Sequence, residues 1–134
     1  MEPIVEWRCN LENSRLFNKL KVKWNTAMII FSYPNGKAVK SPWTNEHKFP
    51  FKTWLKYENP TIQQAIQYIF KKWKIWINVN MDYSYSSDKH YYFYKIKHID
   101  EMGFLVETTG TSETSPEKAY QKGIEFTLKN LIKW

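Results

Sequence analysis

The clearest hydrophobic pattern in the chain lies in its second half. Thr61 stands where a helix N-cap is expected, and Gln64 three residues later completes a capping box. Ile62, Ala65, Ile66, Ile69, Phe70 and Trp73 then recur at helical spacing and predict one apolar face. The period next changes from 3.6 to 2. Ile75, Ile77, Val79 and Met81 alternate with Trp76, Asn78 and Asn80, the signature of a half-buried strand. The polar stretch Asp82 to Lys89 reads as a loop. Tyr91 to His98 predicts a second strand, with Tyr92, Tyr94, Ile96 and His98 on one face and Tyr91, Phe93, Lys95 and Lys97 on the other. Gly103 to Thr109 predicts a third. Ser115 and Pro116 open a last helix as N-cap and first helical residue, with Glu117 favourably placed toward the helix dipole. Its apolar face is Ala119, Tyr120, Gly123, Ile124, Thr127, Leu128 and Leu131.

The first half is less regular. Ile4 to Arg8 reads as a short strand, and Asn10 caps a helix over Leu11 to Leu20 that carries Asn13, Leu16, Phe17 and Leu20 on one side. Lys19, Lys21 and Lys23 alternate with Leu20, Val22 and Trp24, which fits a helix end or an extended exit. Ala27 to Tyr33 and Lys37 to Trp43 predict a hairpin around the turn Pro34-Asn35-Gly36, because Asn and Gly tolerate positive φ. Residues 41–60 hold Pro42, Pro50 and Pro60 and read as an irregular connection tied to the core by Phe49, Phe51, Trp54 and Leu55. These elements predict a single α+β domain over residues 1–134. It has two layers, with helices packed on a mostly antiparallel sheet, a second half in the order helix–strand–strand–strand–helix, and the first hairpin extending or flanking the sheet.

Length and composition agree. A chain of 134 residues has the usual size of one domain and buries enough surface to need no metal or disulfide staple. The single cysteine, Cys9, excludes an intramolecular disulfide. The opening MEPIVEWRCN lacks a basic flank followed by an apolar run, and no apolar run is long enough to span a membrane. The expectation is a cytoplasmic protein, in the host cell if phage-encoded. The net charge of +7 excludes an acidic mimic of DNA. Residues 1–60 hold ten Lys and Arg against five acids, and residues 61–134 ten against eight. The excess is scattered, with no polybasic arm.

Candidate chemistry is sparse. Cys9 is the only thiol, and a lone Cys beside Trp7 at a helix start fits a small buried residue better than a nucleophile. His47, His90 and His98 do not suit one metal, since His90 and His98 stand roughly 26 Å apart along an extended strand. Neither Asp100-Glu101 nor the pair Asp82 and Asp88 forms a catalytic dyad by pattern, and no nucleotide-binding or hydrolase motif appears. The expectation is no enzyme, no cofactor and no metal.

With an aromatic share of 18 %, a basic chain also invites a nucleic-acid reading, since lysines neutralise phosphates and rings stack on bases. The most suggestive segment is KHYYFYKIKH. There Lys89, His90, Tyr91, Phe93, Lys95 and Lys97 are candidate binding residues, together with Lys71, Lys72 and Lys74 of the run Lys71-Lys72-Trp73-Lys74. Against this, tyrosines and phenylalanines are ordinary strand residues and one face must pack on helices. Protein binding through exposed Trp and Tyr with lysines at the rim is the leading reading, and nucleic-acid binding the alternative.

Two resemblances follow from these segments. The helix LENSRLFNKL, the strand near MIIFSY, the step NPTIQQAIQYIFKKWKIWINV and the helix SPEKAYQKGIEFTLKNLI resemble small uncharacterised proteins of Bacteroidetes-type bacteria, prophages and mobile elements. That likeness implies a mobile-element origin and no known activity. Residues 60–132 are similar in element order to the double-stranded RNA-binding domain. His90 stands where that family has a His before its second strand, and Ala119, Ile124, Leu128 and Leu131 follow the spacing of its last helix. The family opens that helix with a basic cluster, whereas here it reads Ser115-Pro116-Glu117-Lys118, and the turn Gly-Pro before the His is missing.

Overall fold

The computed structural model describes residues 7–24, 28–32, 38–42 and 55–133. The predicted strand Ile4–Arg8 lies outside these residues except for its end. Arg8 there makes an isolated antiparallel bridge to Thr61.

Helix α1 (Leu11–Lys19) is capped by Asn10, whose side chain accepts from the Asn13 N–H. It ends where Lys21 takes a positive φ of 61°. Strands β1 (Met28–Ser32) and β2 (Ala38–Pro42) pair antiparallel, as the hairpin pattern predicts; the turn between them lies outside the described residues. The segment read as irregular contains a strand, β3 (Leu55–Glu58), on the other edge of β1. Four residues flanked by prolines are too few for periodicity to reveal. It is the ladder to β1 that makes them a strand. The first hairpin therefore flanks the main sheet as part of a separate three-stranded sheet in the order β2-β1-β3.

Helix α2 (Ile62–Trp73) carries the capping box: Thr61 Oγ1 accepts from Gln64 N and Gln64 Oε1 from Thr61 N. Lys74 closes it in the left-handed region, at φ 57° and ψ 37°. This residue turns the chain from helix into strand β4 (Trp76–Ser84). β4 pairs antiparallel with β5 (Lys89–Ile99), and β5 with β6 (Leu105–Thr109), in the order β4-β5-β6. The polar stretch Asp82 to Lys89, read as a loop, is largely strand. Only residues 85–88 form the turn, because ladder pairing continues through Ser84↔Lys89 after the apolar alternation has faded. Likewise Gly103, at φ +87°, belongs to the turn before β6 and not to the strand.

Helix α3 (Pro116–Phe126) starts with Ser115 as N-cap and Pro116 in its first turn, and continues as a π-helical turn over Thr127–Leu131. The fold is α+β, with helices on one face of the second sheet and the predicted helix–strand–strand–strand–helix order. The core joins Phe17 of α1, Ile62, Ala65 and Ile69 of α2, Ile77 and Ile96 of the sheet, and Ile124 and Leu128. α3 approaches the sheet closely at Gly123. A Cβ there would stand 3.0 Å from Tyr94 Cβ and 3.1 Å from Ile77 Cγ2.

A partly buried polar network ties residues 8–14 to this core. Gln121 Oε1 accepts from Asn10 N (3.0 Å) and Asn13 Nδ2 (3.1 Å), and Gln121 Nε2 donates to Arg8 O (2.6 Å). Asn59 Nδ2 donates to Cys9 O (2.7 Å) and Ser14 Oγ (3.0 Å). These amides supply partners for backbone groups that burial would otherwise strand.

Candidate functional site

Among the described residues, the β4–β5–β6 sheet has helices on one face only. Register decides what the other face shows, since alternate residues of a strand share a face and paired residues lie side by side. Ile77, Tyr94 and Ile96 point toward the helices. Trp76↔Lys97, Asn78↔Lys95, Asn80↔Phe93, Asp82↔Tyr91 and Ser84↔Lys89 therefore lie on the outer face. β6 adds Leu105 beside Ile99, Glu107 beside Lys97 and Thr109 beside Lys95.

This face is graded along its length. At one end Ile99 is 58 % exposed, Leu105 66 % and Trp76 48 %. Met102 and Phe104, in and after the β5–β6 turn, are also exposed. Single exposed apolar residues are normal, but five at one sheet end make a patch. In the middle stand the two lysines, and Glu107 lies between them, 3.4 Å from Lys95 Nζ and 3.9 Å from Lys97 Nζ. A shallow hollow of about 100 Å³ is lined by Trp76, Asn78, Asn80, Lys95 and Lys97. That is well below the roughly 300 Å³ at which small-molecule sites begin.

The structure thus brings together five of the candidate residues: Lys89, Tyr91, Phe93, Lys95 and Lys97. Lys74 joins them at the edge. Its ammonium sits 5.5 Å from the Phe70 ring, which packs edge-on against Trp76 at 5.4 Å. His90 falls on the opposite side of the sheet, against the Tyr83 ring at 5.0 Å. Lys71 stands exposed on α2. Lys72 lies over Tyr68 (5.7 Å) and Trp73 (5.1 Å) and donates to Tyr68 Oη. It belongs to the aromatic cluster of Phe17, Trp24, Tyr68 and Trp73, not to the sheet face. Sequence reasoning passed over Trp76, Asn78, Asn80, Ile99, Leu105 and Glu107. The available signal was the period-2 alternation of β4, which sets a large Trp among the polar positions.

The opening of α3, where the RNA-binding family is basic, is electrostatically mixed. Glu117 lies in its first turn. Lys122 is ion-paired to Glu113, and that hydrogen bond pushes the lysine pKa up, holding it protonated. A hollow of about 720 Å³ lies between α1, β1 and this helix and is lined in part by Asn10, Ser115, Glu117, Gln121 and Lys122. A lysine held protonated is unsuited to act as a general base.

Cys9 is buried; its N–H donates to Pro60 O and its carbonyl accepts from Asn59. His47 lies outside the described residues. Among the described residues, no three His, Cys, Asp or Glu side chains gather as a metal site, and no helix is long and apolar enough to cross a membrane. Comparison of the chain with protein-family models, with curated proteins and with solved structures found no match.

Proposed function

We propose that the chain is a non-enzymatic accessory protein that acts by binding another protein, with the outer face of β4–β5–β6 as its docking surface. The observation that carries this reading is the grouping of Trp76, Ile99 and Leu105, all about half exposed or more, beside a rim of polar and charged side chains. An apolar, aromatic centre with a polar rim is the usual anatomy of a protein interface. Work in the cytoplasm, in a host cell if the gene belongs to a phage or mobile element, is part of the same proposal. It is supported by the resemblance noted above.

Nucleic-acid binding is the second reading, favoured by the α2–β4–β5–β6–α3 order and by Lys89, Lys95 and Lys97 on the same face as Tyr91 and Phe93. Weighing against it, Glu107 stands between two of those lysines and Glu117 opens α3. The two readings part on salt and on Glu107. Fluorescence anisotropy with labelled duplex RNA, duplex DNA and single strands, from low to physiological salt, is the test. Wild type and Glu107→Gln should both bind weakly and lose binding for every ligand as salt rises. Saturable binding near physiological salt with a clear ligand preference, strengthened by Glu107→Gln, would replace the protein-binding reading with the nucleic-acid one.

A further inference from the structure

The backbone of β4 offers a second interaction surface, distinct from the outer face. Gly110 N–H donates to Tyr94 O (2.9 Å), and Asp100 N–H to Phe104 O (2.8 Å). With the β5–β6 register, these bonds make Tyr94, Ile96 and His98 the β5 residues whose backbone groups point at β6. Those of Phe93, Lys95 and Lys97 then point at β4 and bond Asn80, Asn78 and Trp76. On β4 this leaves Ile77, Val79, Met81 and Tyr83 with N–H and C=O groups directed away from the sheet. Among the described residues no strand pairs with that edge. One of its groups is already occupied: Tyr83 N–H donates to Asp82 Oδ1 at 2.8 Å.

Natural edge strands are guarded by lysines, prolines, bulges or short length. β4 runs for nine residues, WINVNMDYS, with no lysine and no proline, and its register to β5 is unbroken. In a chain of net charge +7 it carries a single charge, Asp82. We infer that the occupant of this edge is a second copy of the chain, whose β4 pairs antiparallel across a two-fold axis centred on Asn80.

Register and charge both select this arrangement. Outward groups sit on odd-numbered residues, so hydrogen-bonded pairs must join odd to odd. Centring on Asn80 pairs Ile77 with Tyr83 and Val79 with Met81 of the other copy, each pair twice. All four outward residues of both copies are used, whereas centring on Val79 or Met81 leaves one of them unpaired within the strand. On the helix side apolar Ile77 meets Tyr83, and Val79 meets Met81. On the outer side Asp82 meets Asn78, so no like charges oppose. The only group that must be released is the Tyr83 N–H, from Asp82. The alternative edge, β6, is self-excluding: its outward residues are Leu105, Glu107 and Thr109, and antiparallel self-pairing about the middle one sets Glu107 against its own copy. The result is a continuous six-stranded sheet, β6-β5-β4-β4-β5-β6, that joins two outer faces. The inference stands independently of what the outer face binds.

Two measurements on the full chain test it together. Equilibrium sedimentation at concentrations on the order of 10⁻⁴ M should give twice the 16.3 kDa monomer mass. Met81→Lys, at a position 59 % exposed, should weaken association about tenfold or more while leaving the fold intact. Asn80→Cys should form an intermolecular disulfide under mild oxidant much faster than Ser86→Cys in the exposed turn. The residue on the axis is a non-hydrogen-bonded pair with Cα atoms about 4.5 Å apart, within disulfide reach. Cys9 is buried and does not compete. A monomeric mass at this concentration overturns the inference. So does a dimeric mass in which Asn80→Cys crosslinks no faster than Ser86→Cys, since the copies would then meet through another surface.

Discussion

Replacing Gln121 by alanine probes how residues 8–13 are held. Gln121 is a near-fully buried amide in the second turn of α3, and it joins segments more than a hundred residues apart in sequence. The substitution removes three hydrogen bonds: those from Asn10 N and Asn13 Nδ2 to Oε1, and that from Nε2 to Arg8 O. Asn13 Nδ2 keeps the Gln121 backbone carbonyl at 2.9 Å, so it is not orphaned. Asn10 N–H and Arg8 C=O lose these partners. Losing such a partner costs about 1–3 kcal/mol where the group is fully buried, and both of these bonds are part-buried, so the expected destabilisation is about 2–4 kcal/mol. For a domain of ordinary stability, roughly 5–15 kcal/mol, this is a large fraction. Urea denaturation followed by tryptophan fluorescence reads it as a fall in midpoint at constant slope. Gln121→Glu keeps the acceptor but replaces the donor to Arg8 O by a carboxylate oxygen, and should fall by a similar amount. A loss below about 1 kcal/mol for Gln121→Ala would mean that these hydrogen bonds do not hold the segment.

Two further substitutions test the account of the fold by the same denaturation assay. Gly123→Ala should destabilise by about 1 kcal/mol net: crowding against Tyr94 Cβ, which is fixed to the backbone, and against Ile77 Cγ2 outweighs the gain in helix propensity. A stabilised Gly123→Ala would mean that α3 and the sheet are less closely packed. Lys74→Gly should stabilise by about 0.5 kcal/mol, since glycine takes the left-handed C-cap without strain and the exposed contact with Phe70 is worth less; a loss would show that the Lys74 contact outweighs that strain.

What could be read from the chain beforehand follows from how local each signal is. The Thr61–Gln64 capping box, the apolar face of α2 and the Ser115-Pro116 helix start depend on neighbours in sequence, and all three form. β3 could not be read because its four residues become a strand only by pairing with β1. The end of β4 was misjudged because its backbone keeps bonding to β5 after its side chains have left the core, with Met81 already 59 % exposed. The Asn13–Gln121 and Asn59–Ser14 contacts join distant segments, and no periodicity marks them. For the candidate surface, alternation correctly placed Tyr91, Phe93, Lys95 and Lys97 on one face. It placed His90 opposite them only by parity, and it could not show Lys72 folded onto Tyr68 and Trp73. Nor could alternation show which strand face carries no helix among the described residues. That fact leaves Ile99 and Leu105 exposed, and it makes the outer face a candidate at all.

The outer face is proposed to dock a protein. Affinity capture from the host, with tagged wild type and the double variant Ile99→Thr/Leu105→Thr compared side by side at physiological and at roughly threefold higher salt, tests it most directly. Threonine keeps the strand propensity at both exposed positions while removing most of the apolar surface. The expected result is a specific protein retained by wild type at both salt concentrations and lost from the variant, with the variant's denaturation midpoint unchanged. Equal capture by wild type and variant, or capture that vanishes from wild type as salt rises, would contradict it.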